Sequence, residues 1–294
     1  MAVIETKSLT KYYGKSRGIE GLDLEVNEGE VFGFLGPNGA GKTTTIRSLL
    51  GLIMPTGGSA SVFGLDIVRD SVAIRARTGY IPGDPSFYPK MTGHDLLDYL
   101  ANFRPGNPPV LRDELTRRFD LDLSKRCKDY SRGNKQKLAI VVAFMHDPDL
   151  LVLDEPTLGL DPFMQKEFYS LMEDFRQRGK TVLLSSHILG DVDKTCERVG
   201  IIKEGKLVTV EKVHELESKK VHRVTAIFSD EVKTGEFDLP GVSITRQNDR
   251  SIELKIKGEI DPVIKALARH KLVDLDFEHA SLEEIFLEFY GDEA

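Results

Sequence analysis

The residues most able to do chemistry stand close together near the start of the chain. Gly36-Pro37-Asn38-Gly39-Ala40-Gly41-Lys42-Thr43 fits the pattern G-x-x-x-x-G-K-[ST]. Glycines let a backbone curl until successive N–H groups converge on phosphate oxygens. A helix starting where the loop ends adds partial positive charge at the same point. Lys42 would then reach the β- and γ-phosphates of a nucleotide, and the Thr43 hydroxyl would help hold Mg²⁺. A chance glycine-rich turn is the competing reading, expected roughly a few times in a hundred chains of this length. A strand before the loop and a helix after it lower that figure further. Kinases, GTPases and transport ATPases all use such a loop, so the rest of the chain must discriminate.

A second group of residues lies more than a hundred positions on. Leu150-Leu-Val-Leu-Asp154-Glu155 is an apolar stretch ending in two carboxylates. Asp154 is placed to hold the metal, and Glu155 can face an attacking water as general base. A strand followed by an acidic turn is the ordinary alternative. His187 falls 32 residues after Glu155, within Ser185-Ser-His, and Asp161 follows in Pro156-Thr-Leu-Gly-Leu-Asp161. Tyr130-Ser-Arg-Gly-Asn-Lys-Gln136 precedes the carboxylates by about 20 residues and opens an apolar helix. Singly, a histidine at a strand end or a serine at a helix start is routinely structural. Their order as a set argues for function.

These residues need a framework, and the sequence predicts one. Val31-Phe-Gly-Phe-Leu35 reads as a buried strand running into the loop, followed by a helix from Lys42 to Leu50 that stops at Gly51. Leu150–Leu153 and Thr181–Leu184 read as further apolar strands, so strand and helix alternate as in a parallel α/β core. The region from about 85 to 148 looks more helical, with Leu96, Leu97, Tyr99 and Leu100 on one face. From about 213 the texture changes. Val213–Lys220 is a charged linker or short helix. Ser251–Lys257 and Val273–Glu278 alternate as half-buried strands should. Between them Asp261 can cap, and Pro262 can start, a helix carrying Val263, Ile264 and Leu267. Ser281-Leu-Glu-Glu284 is a capping box for a last helix. The expected organisation is a core over residues 1–212 and a small α+β domain over 213–294.

Composition narrows the class. The chain has 294 residues, 40 basic and 47 acidic, for a net charge of −7. Residues 214–294 hold 11 basic and 18 acidic side chains, so the entire imbalance lies there. Neither part is basic, which gives no support to nucleic-acid binding. No window of about 20 apolar residues exists to span a bilayer. The polar N-terminus lacks the apolar stretch of a signal peptide. Cys127 and Cys196 suggest neither a disulfide framework nor a metal cluster, and a reducing cytoplasm is the simplest compartment.

With these motifs in place, residues 1–212 resemble the ATP-binding subunit of ABC transporters. Gly36 to Thr44 match the Walker A loop, and Leu150 to Glu155 match Walker B with its catalytic glutamate. Asp161 matches the D-loop aspartate and His187 the switch histidine. Tyr13, in Leu9-Thr-Lys-Tyr-Tyr-Gly14, looks like the aromatic that stacks on adenine. Tyr130 to Gln136 look like the signature motif. Residues 213–294 are similar to the C-terminal extension of subunits serving ABC-2-type permeases, many of them exporters. The resemblance implies a P-loop NTPase fold: a parallel-sheet core, an antiparallel β-subdomain and a helical subdomain. It also implies ATP and Mg²⁺ as cofactors, and ATP held by Tyr13 and by residues 36 to 44. Lys42, Glu155 and His187 would be catalytic, with metal contacts from Thr43 and Asp154. Two such subunits, a homodimer or heterodimer, would close head to tail. Ser131, Arg132, Gly133, Asn134 and Asp161 of each would then meet the other's ATP. Residues around 83–103 would contact a separate integral-membrane permease. The chain would thus sit in the cytoplasm, peripheral to the inner face of the membrane.

Two departures from the family pattern qualify this. The signature usually reads Leu-Ser-Gly-Gly-Gln; here it is Tyr130-Ser131-Arg132-Gly133-Asn134. Arg132 either assists phosphate binding or points to solvent. The family glutamine after Gly79-Tyr-Ile-Pro is replaced by Gly83, then Asp84. Asp84 is either a substitute metal ligand or a turn residue before Pro85. These departures also keep open a nucleotide-gated regulatory module with weak hydrolysis. A soluble ABC ATPase of translation or DNA repair is the remaining rival.

Overall fold

The computed structural model describes residues 1–104, 109–218, 221–232 and 234–279. It divides into two compact units, residues 1–211 and 212–294.

In the first unit, five parallel strands run in the order Arg198–Lys203, Val31–Leu35, Thr181–Ser186, Leu150–Asp154 and Thr78–Ile81, and Lys206–Lys212 extends the sheet at one edge. Every residue of Val31–Leu35, Leu150–Asp154 and Thr181–Ser186 is buried. That is why these strands read as continuous apolar runs, since an interior parallel strand is covered on both faces. The chain order jumps between neighbouring strands, so their C-terminal ends gather residues from distant parts of the sequence. Such an edge is where open α/β sheets bind ligands.

A second sheet is antiparallel. Ala2–Tyr13 pairs with Ser16–Leu22, Glu25–Asn27 and Gly57–Val62, and Leu65–Asp66 follows at one edge. Ile4, Leu9, Ile19 and Val62 from this sheet share a core with Phe32, Phe34, Ile46 and Leu49. The helix Lys42–Leu49 is thus packed between both sheets, with its N-terminus at the end of Val31–Leu35. Its end lies at Gly51, at φ 62°, where a Cβ would stand 2.4 Å from that of Ser71.

Shorter helices lie at Gly93–Ala101 and Arg112–Arg118, with Arg132–Phe144 after them. Leu96 and Leu97 are buried as expected. Tyr99 is not part of that buried face: it is 37% exposed and packs edge to face against Tyr88 and Phe103, with centroids 5.6 and 5.0 Å away.

The second unit holds a four-stranded antiparallel sheet, ordered Val242–Asn248, Ser251–Lys257, Val221–Phe228 and Leu272–His279. Ile252, Leu254 and Ile256 point into a core with Val263, Ala266 and Leu267 of the helix Asp261–Leu267. Two expectations change here. The helix is capped by Ile260, with Asp261 already in its first turn beside Lys265, and Ile264 is 40% exposed. On the edge strand, Val273, Leu275 and Phe277 alternate in sequence yet remain exposed. Val213–Ser218 is a short helix. The helix expected to begin at Ser281 lies outside the described residues.

Candidate functional site

Three neighbouring parallel strands deliver the site. Val31–Leu35 ends in the glycine-rich loop, Thr181–Ser186 ends at His187, and Leu150–Asp154 ends at Glu155. The Gly36 amide donates to Ser186 O at 3.3 Å, which ties the loop to the neighbouring strand.

The loop turns back on itself through Ala40 N to Pro37 O, at 3.1 Å. Gly41 sits at φ 112°, and a Cβ there would meet Gly18 O at 2.8 Å. That combination requires glycine. Helix Lys42–Leu49 then begins, and Thr45 N to Gly41 O at 2.9 Å is its first bond. The amides of Lys42, Thr43 and Thr44 precede any intrahelical acceptor and remain available to an anion.

A cavity of about 250 Å³ lies over this helix start. Of the residues expected to hold ATP, Tyr13, Pro37, Asn38, Gly39 and Gly41 to Thr44 line it. Gly36 and Ala40 face inward instead: a Cβ on Gly36 would stand 2.3 Å from Ile202 O, and Ala40 O accepts from Gly205 N at 2.8 Å. Both act through the loop's shape. Tyr13 is 48% exposed at the cavity's rim, as a stacking aromatic would need to be.

The Lys42 ammonium is buried. It donates to Gly36 O at 2.5 Å and Pro37 O at 3.2 Å, and pairs with Glu155 Oε1 at 3.3 Å. Glu155 has a φ of 51°, unusual for a non-glycine residue. Such a conformation costs about 1–3 kcal/mol and persists where surroundings enforce it. Its effect is to turn the chain sharply after the strand, so that the carboxylate faces Lys42 on one side. On the other side, Glu155 Oε2 lies 2.8 Å from His187 Nδ1. With Glu155 ionised, Nδ1–H is the donor of that bond.

Asp154 is 2% exposed. Its Oδ2 accepts from Thr43 Oγ1 at 2.8 Å and its Oδ1 from Ser185 Oγ at 2.5 Å. Burial pushes the neighbouring Tyr80 phenol pKa upward, and the Asp154 charge adds to it. A carboxylate and a hydroxyl held together in this way are hard oxygen donors. They suit an ion such as Mg²⁺, which keeps several waters and takes phosphate oxygens as further ligands. Among the described residues no cluster of three His, Cys, Asp or Glu side chains could hold a metal alone.

Asp84 is exposed and does not line the cavity; Gly83 does, and a Cβ there would stand 3.5 Å from Asp154 Oδ2. The structure therefore brings the glycine, and not the carboxylate, to the metal-side residues. Arg17 and Gly18 also line the cavity and were not singled out from sequence. Gly18 is constrained because a Cβ would crowd Thr44 Cγ2 at 2.9 Å and Tyr13 Cε2 at 3.0 Å. No motif marks either residue; only the pairing of Ser16–Leu22 with Ala2–Tyr13 brings them there.

The remaining predicted residues lie outside this cavity. Ser131 caps the helix Arg132–Phe144 by accepting from Asn134 N at 3.2 Å. Asp161 caps Pro162–Gln177 by accepting from Met164 N at 3.0 Å. A Cβ on Gly133 would stand 2.9 Å from Gly159 O, so the two helix starts adjoin. Arg132 lays its stem across Gly159, with Cγ 3.3 Å from where a Cβ would be, while remaining exposed.

Comparison with known proteins agrees with this geometry. The family model described as ABC transporter matches residues 19–158. The bacitracin transport ATP-binding protein of Bacillus licheniformis is 41% identical over 209 residues, 70% of this chain and 68% of that protein. The Nod factor export ATP-binding protein I of Cupriavidus pinatubonensis is 30% identical over 99% of this chain and 92% of its own. A solved ATP-binding subunit of an ABC transporter superposes with a TM-score of 0.68 at 31% identity, covering 73% of this chain and 92% of its own. A dimeric cassette bound to ADP and Pi shares the fold, with a TM-score of 0.65 at 22% identity over 71% of this chain and 98% of its own. The chain belongs to the ABC transporter family, as an ATP-binding ATPase subunit.

Proposed function

We propose that this chain binds ATP with Mg²⁺ in the cavity above Lys42 and hydrolyses it as a head-to-tail dimer, driving export through a separate membrane permease. The observation that carries this is the convergence of Lys42, Thr43, Asp154 and Glu155 on one cavity, with His187 bonded to Glu155. The free amides of the helix start would hold phosphate oxygens, and Thr43 with Asp154 would hold Mg²⁺, which offsets phosphate charge. Glu155 would orient and deprotonate the attacking water, with His187 fixing its carboxylate. Lys42 would leave Glu155 for the phosphates, which frees that carboxylate as base.

One chain supplies only part of such a site. Ser131 and Asp161 begin two adjoining helices outside the cavity, as residues serving a second copy's nucleotide would. No helix among the described residues is long and apolar enough to cross a membrane; in this reading the membrane path is built by the permease. The exposed aromatics Tyr88, Tyr99 and Phe103 fall in the segment expected to meet that chain, and such a cluster suits a protein contact. Export is favoured by relatives named for bacitracin transport and Nod factor export. The reading puts the chain at the cytoplasmic face, held there by the permease.

The test is the mass of the Glu155→Gln chain in solution with and without ATP. A shift from monomer to dimer that needs ATP, and that Ser131→Arg abolishes, supports the reading. A monomer at saturating ATP overturns the head-to-tail site.

A further inference from the structure

The bond between Glu155 and His187 joins two separate loops. One follows Leu150–Asp154 and the other follows Thr181–Ser186. A 2.8 Å contact between side chains on different loops requires the loops themselves to be held in register. The paired strands bring the two loop starts together, with Glu155 N donating to Ser185 O at 3.1 Å; a further group, outside every motif, ties them from behind the site.

Asp191 is on the helix Leu189–Thr195 and is 7% exposed. Its Oδ2 accepts from Thr157 Oγ1 at 2.8 Å and from Ser186 Oγ at 3.2 Å. Thr157 is two residues after Glu155, and Ser186 is one before His187. A single carboxylate oxygen thus meets one hydroxyl from the Glu155 loop and one from the strand end that leads into His187, the latter shared with Ile188 O at 3.3 Å. Its other oxygen accepts from Tyr169 OH at 2.6 Å, on the helix that Asp161 caps. Burial, reinforced by the bond to Asp191, pushes the Tyr169 phenol pKa upward, so that group stays a donor. Among the described residues the Asp191 charge is met by these hydroxyls without an ion pair. Charge-assisted bonds of this kind are short and directional, and a buried carboxylate deprived of them is costly.

We infer that Asp191 is a positioning residue for ATP hydrolysis: it locks the Glu155 loop and the His187 loop in the register at which the two side chains meet. Tyr169 holds the Asp191 carboxylate from behind and joins it to the helix that begins at Asp161. The ATP cradle around Lys42 does not touch Asp191, so the lock acts on turnover and not on nucleotide binding. This inference rests on the reading of Glu155 and His187 as the catalytic pair.

The test is Asp191→Asn in the full chain. Asparagine keeps the size and exchanges one accepting oxygen for an NH₂ that cannot accept. Misplacement of reacting groups by about 1 Å costs up to about a hundredfold, so kcat should fall by about ten- to a hundredfold with KM for ATP nearly unchanged. In a His187→Ala background the same substitution should have little further effect, because the contact it protects is already gone. A purely structural role would lower turnover by the same factor in both backgrounds. Thr157→Val removes one of the two hydroxyls on Oδ2 without touching the carboxylate, and should lower kcat in the same sense if Asp191→Asn fails to fold. Glu155→Gln is measured in parallel. If it abolishes turnover while Asp191→Asn or Thr157→Val turns over at the wild-type rate, the positioning role is overturned. If Glu155→Gln itself turns over normally, the underlying reading of the site fails instead. An equal fall in both His187 backgrounds also overturns the inference.

Discussion

Replacing Glu155 by glutamine tests the chemistry with the least disturbance of structure. Glu155 Oε1 is 3.3 Å from Lys42 Nζ, and Oε2 is 2.8 Å from His187 Nδ1. Glutamine keeps the length and can still accept from His187 through its amide oxygen. It loses the charge that faces Lys42 and the ability to take a proton from water. Lys42 keeps its bonds to Gly36 O and Pro37 O, so the loop should retain its shape. General-base assistance is worth about 10²–10⁴ in rate. At 1.36 kcal/mol per tenfold, that is about 3–5 kcal/mol of barrier. The expected result is kcat reduced by that factor, with ATP affinity equal to wild type or tighter, since a negative charge beside the phosphates has gone. Steady-state phosphate release and equilibrium nucleotide binding on the same preparation separate the two quantities. Turnover within about threefold of wild type would refute the base assignment. A large loss of ATP affinity would show instead that Glu155 shapes the cradle.

Three further outcomes follow from the geometry. Gly41→Ala combines a φ of 112° with a Cβ 2.8 Å from Gly18 O, a cost of about 2–5 kcal/mol. At about 2–4 °C per kcal/mol for a unit of this size, the melting temperature should fall by roughly 5–20 °C, and ATP affinity should fall with it; an unchanged melting curve would contradict the loop geometry. Asp84→Ala should leave hydrolysis and its Mg²⁺ dependence as they are, because Asp84 is exposed and off the cavity; a shifted Mg²⁺ titration would put its carboxylate at the metal. Burial pushes the Cys196 thiol up to about 12 and raises Cys127 as well. A thiol reagent at mildly alkaline pH should therefore label neither until denaturant is added, and rapid labelling of the native chain would count against this packing.

The parts of the site that were legible in the sequence are those where one local pattern serves one local structure. Gly36 to Thr43 reads as strand, loop and helix because backbone curvature, anion binding and helix initiation all occur within eight residues. Leu150–Asp154 reads as a buried strand because both its faces are covered. Ser251–Lys257 alternates because one face meets the helix Asp261–Leu267. What was not legible depends on pairing across the chain. Arg17 and Gly18 reach the cavity through an antiparallel partner strand, and Asp191 gains its role from hydroxyls 34, 22 and 5 residues away. Alternation also misled at Val273, Leu275 and Phe277: period two shows that a strand has two faces, not that either face is covered. Asp261 looked like a cap from residue type alone, yet the backbone places Ile260 at that position.

The central claim is that the cavity above Lys42 hydrolyses ATP for a membrane partner. The most direct measurement is steady-state ATP hydrolysis by the full chain, in membranes carrying that partner, with Lys42→Ala as its control. The account predicts turnover that requires Mg²⁺, rises in the presence of the partner and disappears in Lys42→Ala. Hydrolysis no greater than that of Lys42→Ala would contradict it.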